Sequence, residues 1–190
     1  SCITRFAPSP TGLLHIGNAR TALISYLFAK KNHGQFMLRL DDTDIDRSSE
    51  DFAIAIQNDL KWLGINWSIF SKQSERLDRY EEIKQKLIAD GRLYPCYETA
   101  EEIEIKRKML LSRGKPPIYD RQALTLTDEQ KKQYEAEGRK KHWRFKLDET
   151  TPIKWHDLIK GETVFKAENL SDPVLIRTNG CPTYMLDRKS

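Results

Sequence analysis

The first ninety residues alternate short apolar runs with stretches whose apolar residues recur at helical spacing. Residues 3–7 and 35–40 are runs of strand length. Between them, a predicted helix carries on one face the apolar residues Ala19, Ala22, Leu23, Tyr26 and Leu27. Two further helices are predicted, one opened by a capping pair at Ser48 and Asp51 and one over residues 75–89. This alternation indicates an α/β domain with a doubly wound sheet.

From about residue 95 the pattern changes to charged helices and short strands. Capping pairs at Thr99 and Glu102 and at Thr127 and Gln130 each predict a helix start. Short β-like runs follow, over residues 142–147, 152–155, 162–165, 174–177 and 183–186. We therefore predict two domains, residues 1–94 and residues 95–190, and assign the second to the α+β class.

Composition limits the classes of protein to which the chain can belong. Among 190 residues, 38% are hydrophobic and 32% are charged, which suffices for a core and excludes low-complexity disorder. The net charge of +4 permits a nucleic-acid partner without requiring one. The three cysteines, Cys2, Cys96 and Cys181, lie far apart, so no disulfide framework is predicted and a reducing cytoplasm fits best.

The densest candidate chemistry lies in residues 5–18, which form a strand, a proline-stiffened loop and a helix start. Ligands of doubly wound sheets bind at the carboxyl ends of strands, and a helix N-terminus suits phosphate. His15 can donate to a phosphate oxygen, and Gly17 lets a flat ring lie against the backbone. Arg5 can pair with a carboxylate, and Asp41 can hold an ammonium group.

Each of these features also has a structural interpretation. A single His-x-Gly in a loop is usually structural, and the prolines can simply end a strand. The acidic run at 41–46 fits a solvated loop or a hard cation, although it lacks the spacing of a calcium loop.

Taken together, the motifs carry a family resemblance. Residues 15–18, His-Ile-Gly-Asn, resemble the His-Ile-Gly-His signature of class I aminoacyl-tRNA synthetases. Residues 5–12, 39–44, 73–76 and 182–184 resemble the bacterial glutamyl-tRNA synthetase branch, in order along almost the whole chain. Glutaminyl enzymes, which carry a different proline loop, and glutamyl-queuosine relatives, which usually have Ser where Thr11 stands, are weaker matches.

This resemblance implies a partial Rossmann-like nucleotide-binding fold, residues 1–94 being the first half of a catalytic domain, with an acceptor-stem-binding insertion from residue 95. It implies a cytoplasmic, monomeric glutamate–tRNA ligase that uses ATP with Mg²⁺ and the acceptor stem of tRNA(Glu). The implied glutamate-binding residues are Arg5, Ala7, Ser9, Asp41 and Tyr184. The implied catalytic and ATP-binding residues are Thr11, Gly12, His15, Gly17 and Asn18.

Within those sets the resemblance implies particular roles. Arg5 and Tyr184 hold the side-chain carboxylate of glutamate, and Asp41 takes its α-ammonium, where the family more often has Glu. His15 contacts the ATP phosphates and Gly17 lies beneath the adenine. The glutamate α-carboxylate then attacks the ATP α-phosphate, and the glutamyl group passes to the terminal ribose of tRNA.

The insertion carries two further expectations. Its basic residues either contact tRNA phosphates or form a solvated charged face; they are Lys106, Arg107, Lys108, Arg113, Lys115, Arg139, Lys140 and Lys141. Some family members bind zinc here through cysteines. Only Cys96 is in place in this chain, with Glu98 in a second cysteine position and no cysteine at 120–123, so we predict no bound zinc and no metal ligands.

The family's second ATP signature, a Lys-Met-Ser-Lys-Ser-type loop, is absent from the sequence, and the resemblance ends at residues 187–190. We therefore expect an N-terminal fragment that does not support pyrophosphate exchange alone. Two alternatives stay open: a non-catalytic module that binds the tRNA acceptor stem or a nucleotide, and a glutamyl-queuosine tRNA(Asp) synthetase-like enzyme.

Overall fold

The computed structural model describes residues 2–44, 46–166 and 170–187, without the side chains of Tyr184 and Asp187. Two compact units make up the chain, Ser1–Glu81 and Glu82–Ser190. This division lies N-terminal to the boundary predicted at residue 94. Among the described residues, no helix has the length and apolar run needed to cross a membrane.

The first unit contains a three-stranded parallel sheet with helices between its strands. Its elements are β1 (Ile3–Phe6), α1 (Ile16–Lys31), β2 (Gln35–Leu40), α2 (Glu50–Trp62), β3 (Ile69–Lys72) and a 3₁₀ helix (Gln73–Arg76), followed by α3 (Leu77–Ala89), which crosses into the second unit. The strand order is β1-β2-β3. Ile3 pairs with Gln35, and Met37 pairs with Ile69. The predicted α/β class is confirmed, although the sequence pattern missed β3.

The central strand supplies the core of this unit. Phe36, Leu38 and Leu40 point to one face of β2 and are buried among α1 and α2 residues. The prediction that Leu23 and Leu27 line the buried face of α1 is wrong, because their side chains are 43% and 53% exposed. The fully buried positions of that helix are instead the alanines Ala22 and Ala29, which let its backbone come close to the sheet.

Helix starts differ from the predicted positions by a few residues. The N-cap of α2 is Ser49, not Ser48, and its hydroxyl accepts hydrogen bonds from the N–H groups of Asp51 (3.1 Å) and Phe52 (3.4 Å). Helix α1 begins at residue 16 because His15 caps it, and α3 begins only after the 3₁₀ helix.

The second unit is an α+β arrangement, as predicted. Its elements are β4 (Leu93–Cys96), α4 (Ala100–Ser112), a 3₁₀ helix (Gln122–Thr125), α5 (Asp128–Ala136), β5 (His142–Phe145), β6 (Ile153–Asp157), β7 (Gly161–Phe165), β8 (Val174–Ile176) and α6 (Tyr184–Asp187). Strands β4, β5 and β8 form an antiparallel sheet in that order, and β6 and β7 form a separate hairpin.

Of the local sequence predictions in this unit, the two helix starts are confirmed and one strand is wrong. Both predicted capping boxes are confirmed, at Thr99 with Glu102 and at Thr127 with Gln130. The strand predicted over 183–186 is wrong, because Tyr184–Asp187 is a short helix. The N–H of Leu186 donates to the carbonyl of Thr183 at 3.1 Å, which closes a turn instead of extending a strand.

One buried carboxylate connects distant parts of the second unit. Asp172, 2% exposed, accepts hydrogen bonds from the Tyr94 hydroxyl (2.7 Å), the Leu147 N–H (2.9 Å) and two Arg121 nitrogens (2.8 and 2.9 Å). Burial opposes ionisation of Asp172, but the hydrogen bonds from Arg121, Leu147 and Tyr94 outweigh it and lower the pKa. The ionised Asp172 therefore stabilises the folded state.

Replacing this carboxylate has a specific pH signature. Because the folded-state pKa of Asp172 lies below its usual value of 3.8, its stabilisation is present above that pH and is lost as pH falls through the folded-state pKa. We expect Asp172→Asn to lower the free energy of unfolding at pH 7 by about 3–5 kcal/mol. The deficit should shrink in urea titrations below pH 4.

Asp128→Asn is the matched control, because the Asp128 side chain is 86% exposed. If the loss of unfolding free energy in Asp172→Asn stays constant down to pH 2, the ionised Asp172 carboxylate is not what stabilises the folded state.

Candidate functional site

The predicted site residues of the first unit lie around the carboxyl ends of β1 and β2. The proline loop that follows β1 is tied to the segment after β2 by two backbone hydrogen bonds. The Asp41 N–H donates to the Pro8 carbonyl at 2.9 Å, and the Ser49 N–H donates to the Pro10 carbonyl at 3.0 Å. A third bond, from the Thr11 N–H to the Ser9 carbonyl at 2.8 Å, tightens the loop itself. The structure thus brings the loop and Asp41 together.

Asp41, the residue that follows β2, is held by a buried arginine of that strand. The Arg39 side chain is only 3% exposed, and its Nε and Nη2 donate to the two Asp41 carboxylate oxygens at 2.7 and 3.0 Å. This bidentate pair fixes the orientation of the carboxylate. Each oxygen keeps a further lone pair, and the Asp41 side chain stays 13% exposed, so it can still accept from an ammonium group.

The neighbouring acids are also fixed by protein groups. Asp42 accepts from the Ser74 N–H at 2.8 Å and from the Ser74 hydroxyl at 2.6 Å, at the start of the 3₁₀ helix. Asp44 lies 3.8 Å from Arg47. These contacts disfavour the interpretation of residues 41–44 as an unstructured solvated loop.

His15 is the N-cap of α1. Its Nδ1 accepts a hydrogen bond from the Gly17 N–H at 3.1 Å, and Asn18 Oδ1 accepts from the His15 N–H at 3.3 Å. With Nδ1 acting as an acceptor, the proton of the neutral imidazole lies on Nε2. The side chain is exposed, so Nε2–H is a donor available to a ligand. The structural and the functional interpretations of His15 are therefore compatible.

Gly17 is required by the cap. A Cβ at this position would lie 2.9 Å from His15 Cε1 and 3.0 Å from His15 Nδ1. The flat ring against Gly17 in this structure is thus the imidazole of His15. At Gly12, by contrast, a Cβ would meet nothing within 4 Å, so the structure gives no steric reason for glycine in the bend.

Helix α1 differs from α2, α3, α4 and α5 in the charged residues of its first turn. The first turns of α2, α3, α4 and α5 all contain acidic residues, whereas the first turn of α1 contains none. The partial positive charge at the N-terminus of α1 is therefore not offset by an adjacent carboxylate. Such a terminus attracts an anionic ligand.

The remaining predicted glutamate ligands are less closely grouped. Arg5 lies in β1 opposite Met37, and by strand alternation it shares a sheet face with Ile3. Tyr184 belongs to the second unit, and its side chain lies outside the described part of the structure. The shared role of Arg5 and Tyr184 stays a prediction.

Sequence reasoning missed Arg39 as a site residue. An arginine inside an apolar strand, two positions before a carboxylate, was the signal that would have identified it. Tyr80 in α3 is also buried, with 2% exposure. Burial raises the pKa of Tyr80, although Arg76 and Arg39 oppose the rise.

The basic residues of the insertion fall into two groups. Four contact acids: Lys106 with Asp120 (3.3 Å), Arg107 with Glu104 (3.4 Å), Arg139 with Glu102 (3.0 Å) and Lys141 with Glu135 (3.1 Å). The other four have no ion pair among the described residues and are exposed: Lys108, Arg113, Lys115 and Lys140.

A possible metal-ligating group also lies in the second unit. One ligand atom each of Cys96, Glu98 and His142 lies within 4.8 Å of the others. His142 was not considered in the sequence-based prediction, which counted only cysteines near residues 96 and 120.

Comparison with known proteins identifies the family of this chain. Residues 1–187 match the model described as tRNA synthetases class I (E and Q), catalytic domain. The chain belongs to this family. The family description covers both glutamyl and glutaminyl enzymes and does not by itself separate them.

Individual relatives are more specific. Over 184 residues, covering 97% of this chain, it is 56% identical to Glutamate–tRNA ligase 1 of Rickettsia rickettsii and to Glutamate–tRNA ligase 2 of Rickettsia canadensis. The crystal structure of a glutamate–tRNA ligase from Elizabethkingia meningosepticum, in complex with its amino acid, matches with a TM-score of 0.82 and 33% identity, over 98% of this chain and 40% of that one. The chain spans about 41% of the length of the curated relatives.

The contact between Gly17 and His15 can be tested directly. We expect Gly17→Ala to displace the imidazole from the cap, because the new Cβ would lie within 3.0 Å of the ring. The lost cap costs about 1 kcal/mol, but alanine is favoured over glycine within a helix by a similar amount, so the free energy of unfolding should change little. The ¹⁵N NMR signals of His15 should change from the Nε2–H tautomer to a mixture. Gly12→Ala is the control and should leave the tautomer unchanged, whereas an unchanged tautomer in Gly17→Ala would contradict the cap.

Proposed function

We propose that the protein to which this chain belongs is a glutamate–tRNA ligase, which activates L-glutamate with ATP and transfers it to the 3′ end of tRNA(Glu). The names of the relatives support glutamate over glutamine. The observation that carries the proposal is the pair of backbone bonds joining the Pro8–Pro10 loop of the His15 motif to the Asp41 segment. These bonds support the proposal because they join the loop that leads to the start of α1 to the segment that carries Asp41.

In this proposal Asp41 holds the α-ammonium of glutamate. The carboxylate is pre-oriented by Arg39 through two hydrogen bonds, so little ordering is needed when the amino acid binds. Arg5, Ala7 and Ser9 of the same unit are proposed to complete the pocket, the arginine pairing with the side-chain carboxylate. Asp41 is one methylene shorter than the glutamate found more often in the family, and its bidentate contact with Arg39 fixes its direction.

The phosphates of ATP are proposed to bind at the start of α1. His15 donates from Nε2, while Nδ1 stays bound to the Gly17 N–H. Thr11, Gly12, Gly17 and Asn18 form the backbone around this donor, and Mg²⁺ enters with the nucleotide. A glutamate carboxylate oxygen attacks the α-phosphorus, the bond to the leaving phosphate oxygen breaks, and pyrophosphate departs. Catalysis then consists of positioning and of stabilising charge on the phosphate oxygens.

The second unit is proposed to contact the tRNA acceptor stem. The exposed residues Lys108, Arg113, Lys115 and Lys140, which lack acidic partners among the described residues, are the proposed phosphate ligands. The basic residues that already pair with acids gain less from a phosphate, because an existing ion pair must break. A monomer in the cytoplasm is the proposed working state.

Pyrophosphate exchange by the full-length protein tests the proposal. Exchange that depends on glutamate, ATP and tRNA supports it, whereas tRNA binding without any exchange would support the non-catalytic module. The sharpest variant is Arg39→Lys, which keeps the charge but cannot form the bidentate pair. We expect the KM for glutamate to rise roughly tenfold, the cost of one charge-assisted hydrogen bond, while the KM for ATP changes little.

Arg47→Lys is the matched control, since Arg47 lies in the same loop, is 72% exposed and contacts Asp44 only at 3.8 Å. It should leave both KM values unchanged. An Arg39→Lys protein with unaltered KM for glutamate would contradict the proposal that Arg39 orients Asp41 for binding glutamate.

Salt-dependent tRNA binding tests the second unit. Combined alanine substitution of Lys108, Arg113, Lys115 and Lys140 should lower the slope of log affinity against log salt by about 1 for each side chain that binds a phosphate. The control replaces the acid-paired set of Lys106, Arg107, Arg139 and Lys141, which has the same charge. Equal slopes for the two variants would show that the unpaired residues have no special role.

A further inference from the structure

The motif at residues 73–76, to which the proposed function gives no role, begins with a fully buried glutamine. Gln73 is 0% exposed, and neither its amide oxygen nor its amide nitrogen has a hydrogen-bond partner. A buried polar group without a partner destabilises the folded state, and each such group in a protein needs an explanation. A methionine of similar volume would fill the same space without this cost, so packing alone does not explain Gln73.

Gln73 lies on the sheet face that carries the proposed glutamate ligands. Paired residues of neighbouring strands point to the same face of a sheet, and so do residues two apart in one strand. Arg39 of β2 pairs with Ser71 of β3, and the residue between Ser71 and Gln73 is extended. Gln73 therefore continues the face that holds Arg39 and Asp41, opposite the face that carries the apolar core of β2.

The Tyr80 hydroxyl is close both to Gln73 and to the Arg39–Asp41 pair. Burial raises the pKa of this hydroxyl, and among its neighbours Arg76 and Arg39 lower the pKa. The Gln73 side chain lowers it as well, whereas Asp41 raises it, so these groups all lie near the phenol oxygen. The approach of Gln73 to Tyr80 does not reach the geometry of a hydrogen bond, since both amide atoms stay without a partner.

We propose that Gln73 and Tyr80 are positioning residues of the glutamate pocket. When glutamate binds, the Gln73 amide N–H donates to the Tyr80 hydroxyl oxygen and keeps that oxygen turned toward the Arg39 guanidinium. Arg39 in turn keeps its two nitrogens on the Asp41 carboxylate while the α-ammonium group binds there. Neither Gln73 nor Tyr80 touches the amino acid. The inference rests on the proposed function, because it takes Asp41 as the ammonium acceptor.

The arriving ammonium group explains why Arg39 needs support. It is a second cation next to the same carboxylate, so it repels the guanidinium and competes with it for the Asp41 oxygens. A phenol oxygen held toward Arg39 opposes this displacement, because its negative partial charge attracts the guanidinium. Hydrogen bonds in a site are often poorly aligned until the substrate binds, as the contact between Gln73 and Tyr80 is here.

A structural role for Gln73 is the competing explanation. The Ser71 hydroxyl is also buried without a partner, so an internal water molecule could bridge Ser71 and Gln73. In that case the replacement of Gln73 would change the free energy of unfolding and leave the affinity for glutamate as it is. The two explanations therefore differ in the quantity that a substitution alters.

The test measures pyrophosphate exchange by the full-length protein, in the presence of tRNA, with Gln73→Met and Tyr80→Phe. Each substitution removes the polar atoms and keeps most of the volume. We expect the KM for glutamate to rise about fivefold in each variant, and no further in the double variant, because the two residues act as a unit. The KM for ATP and kcat should change by less than about twofold. A protein that is merely destabilised would lose kcat through its folded fraction and keep its KM.

Two matched controls remove a hydrogen bond elsewhere. Gln57→Met removes the bond from Gln57 Nε2 to the Ala53 carbonyl (3.1 Å) within α2. Tyr97→Phe removes the bond from a tyrosine that is 3% exposed in the second unit to Glu135 (2.8 Å). Both should leave the KM for glutamate unchanged. Circular dichroism and urea titration check that every variant folds, and if Gln73→Met does not fold, Tyr80→Phe alone decides.

The outcomes separate this inference from the proposed function. A parent protein that shows exchange, with an unchanged KM for glutamate in both test variants, would overturn the inference alone in favour of the structural role. Increases in KM that multiply in the double variant would show that the two residues act separately, which also overturns it. A parent protein without glutamate-dependent exchange would overturn the proposed function and this inference together.

Discussion

The arrangement at the carboxyl end of the parallel sheet depends on one buried ion pair, between Arg39 on the central strand and Asp41. Arg39 is 2% exposed, and its charge is satisfied by both oxygens of Asp41. The contact directs the Asp41 side chain back along the strand, while the Asp41 N–H binds the Pro8 carbonyl. The loop that leads to His15 therefore contacts the backbone of the same residue whose side chain pairs with Arg39.

The sequence predicted those parts of the fold that depend on local signals. The capping boxes at Thr99 and Thr127 were located correctly because a cap is decided within four residues. Strand β3 was missed because Ile69–Lys72 has only four residues, half of them polar, and is stabilised by pairing with β2. On α1, Ala22 and Tyr26 were correctly predicted to face the core, but Leu23 and Leu27 were not. No rule based on hydrophobicity alone prefers Ala22 to Leu23 as the buried residue.

Individual residues of the candidate site were predicted, but the contacts between them were not. His15 and Gly17 were predicted to bind a ligand, and the structure adds that the two residues contact each other in the helix cap. Arg39 escaped notice because its contact with Asp41 depends on burial. The register that sets His142 opposite Cys96 is likewise not contained in a single sequence.

We propose that Asp41 holds the α-ammonium of glutamate while His15 contacts the ATP phosphates. A structure of the full-length protein with a non-hydrolysable glutamyl-adenylate analogue tests both contacts at once. We expect the ligand's ammonium to lie within hydrogen-bond distance of an Asp41 oxygen that Arg39 still contacts. We also expect a phosphate-mimicking oxygen within hydrogen-bond distance of His15 Nε2, with Nδ1 retained by Gly17. An analogue bound away from the ends of β1 and β2, or one that breaks the Arg39–Asp41 pair, would contradict the claim.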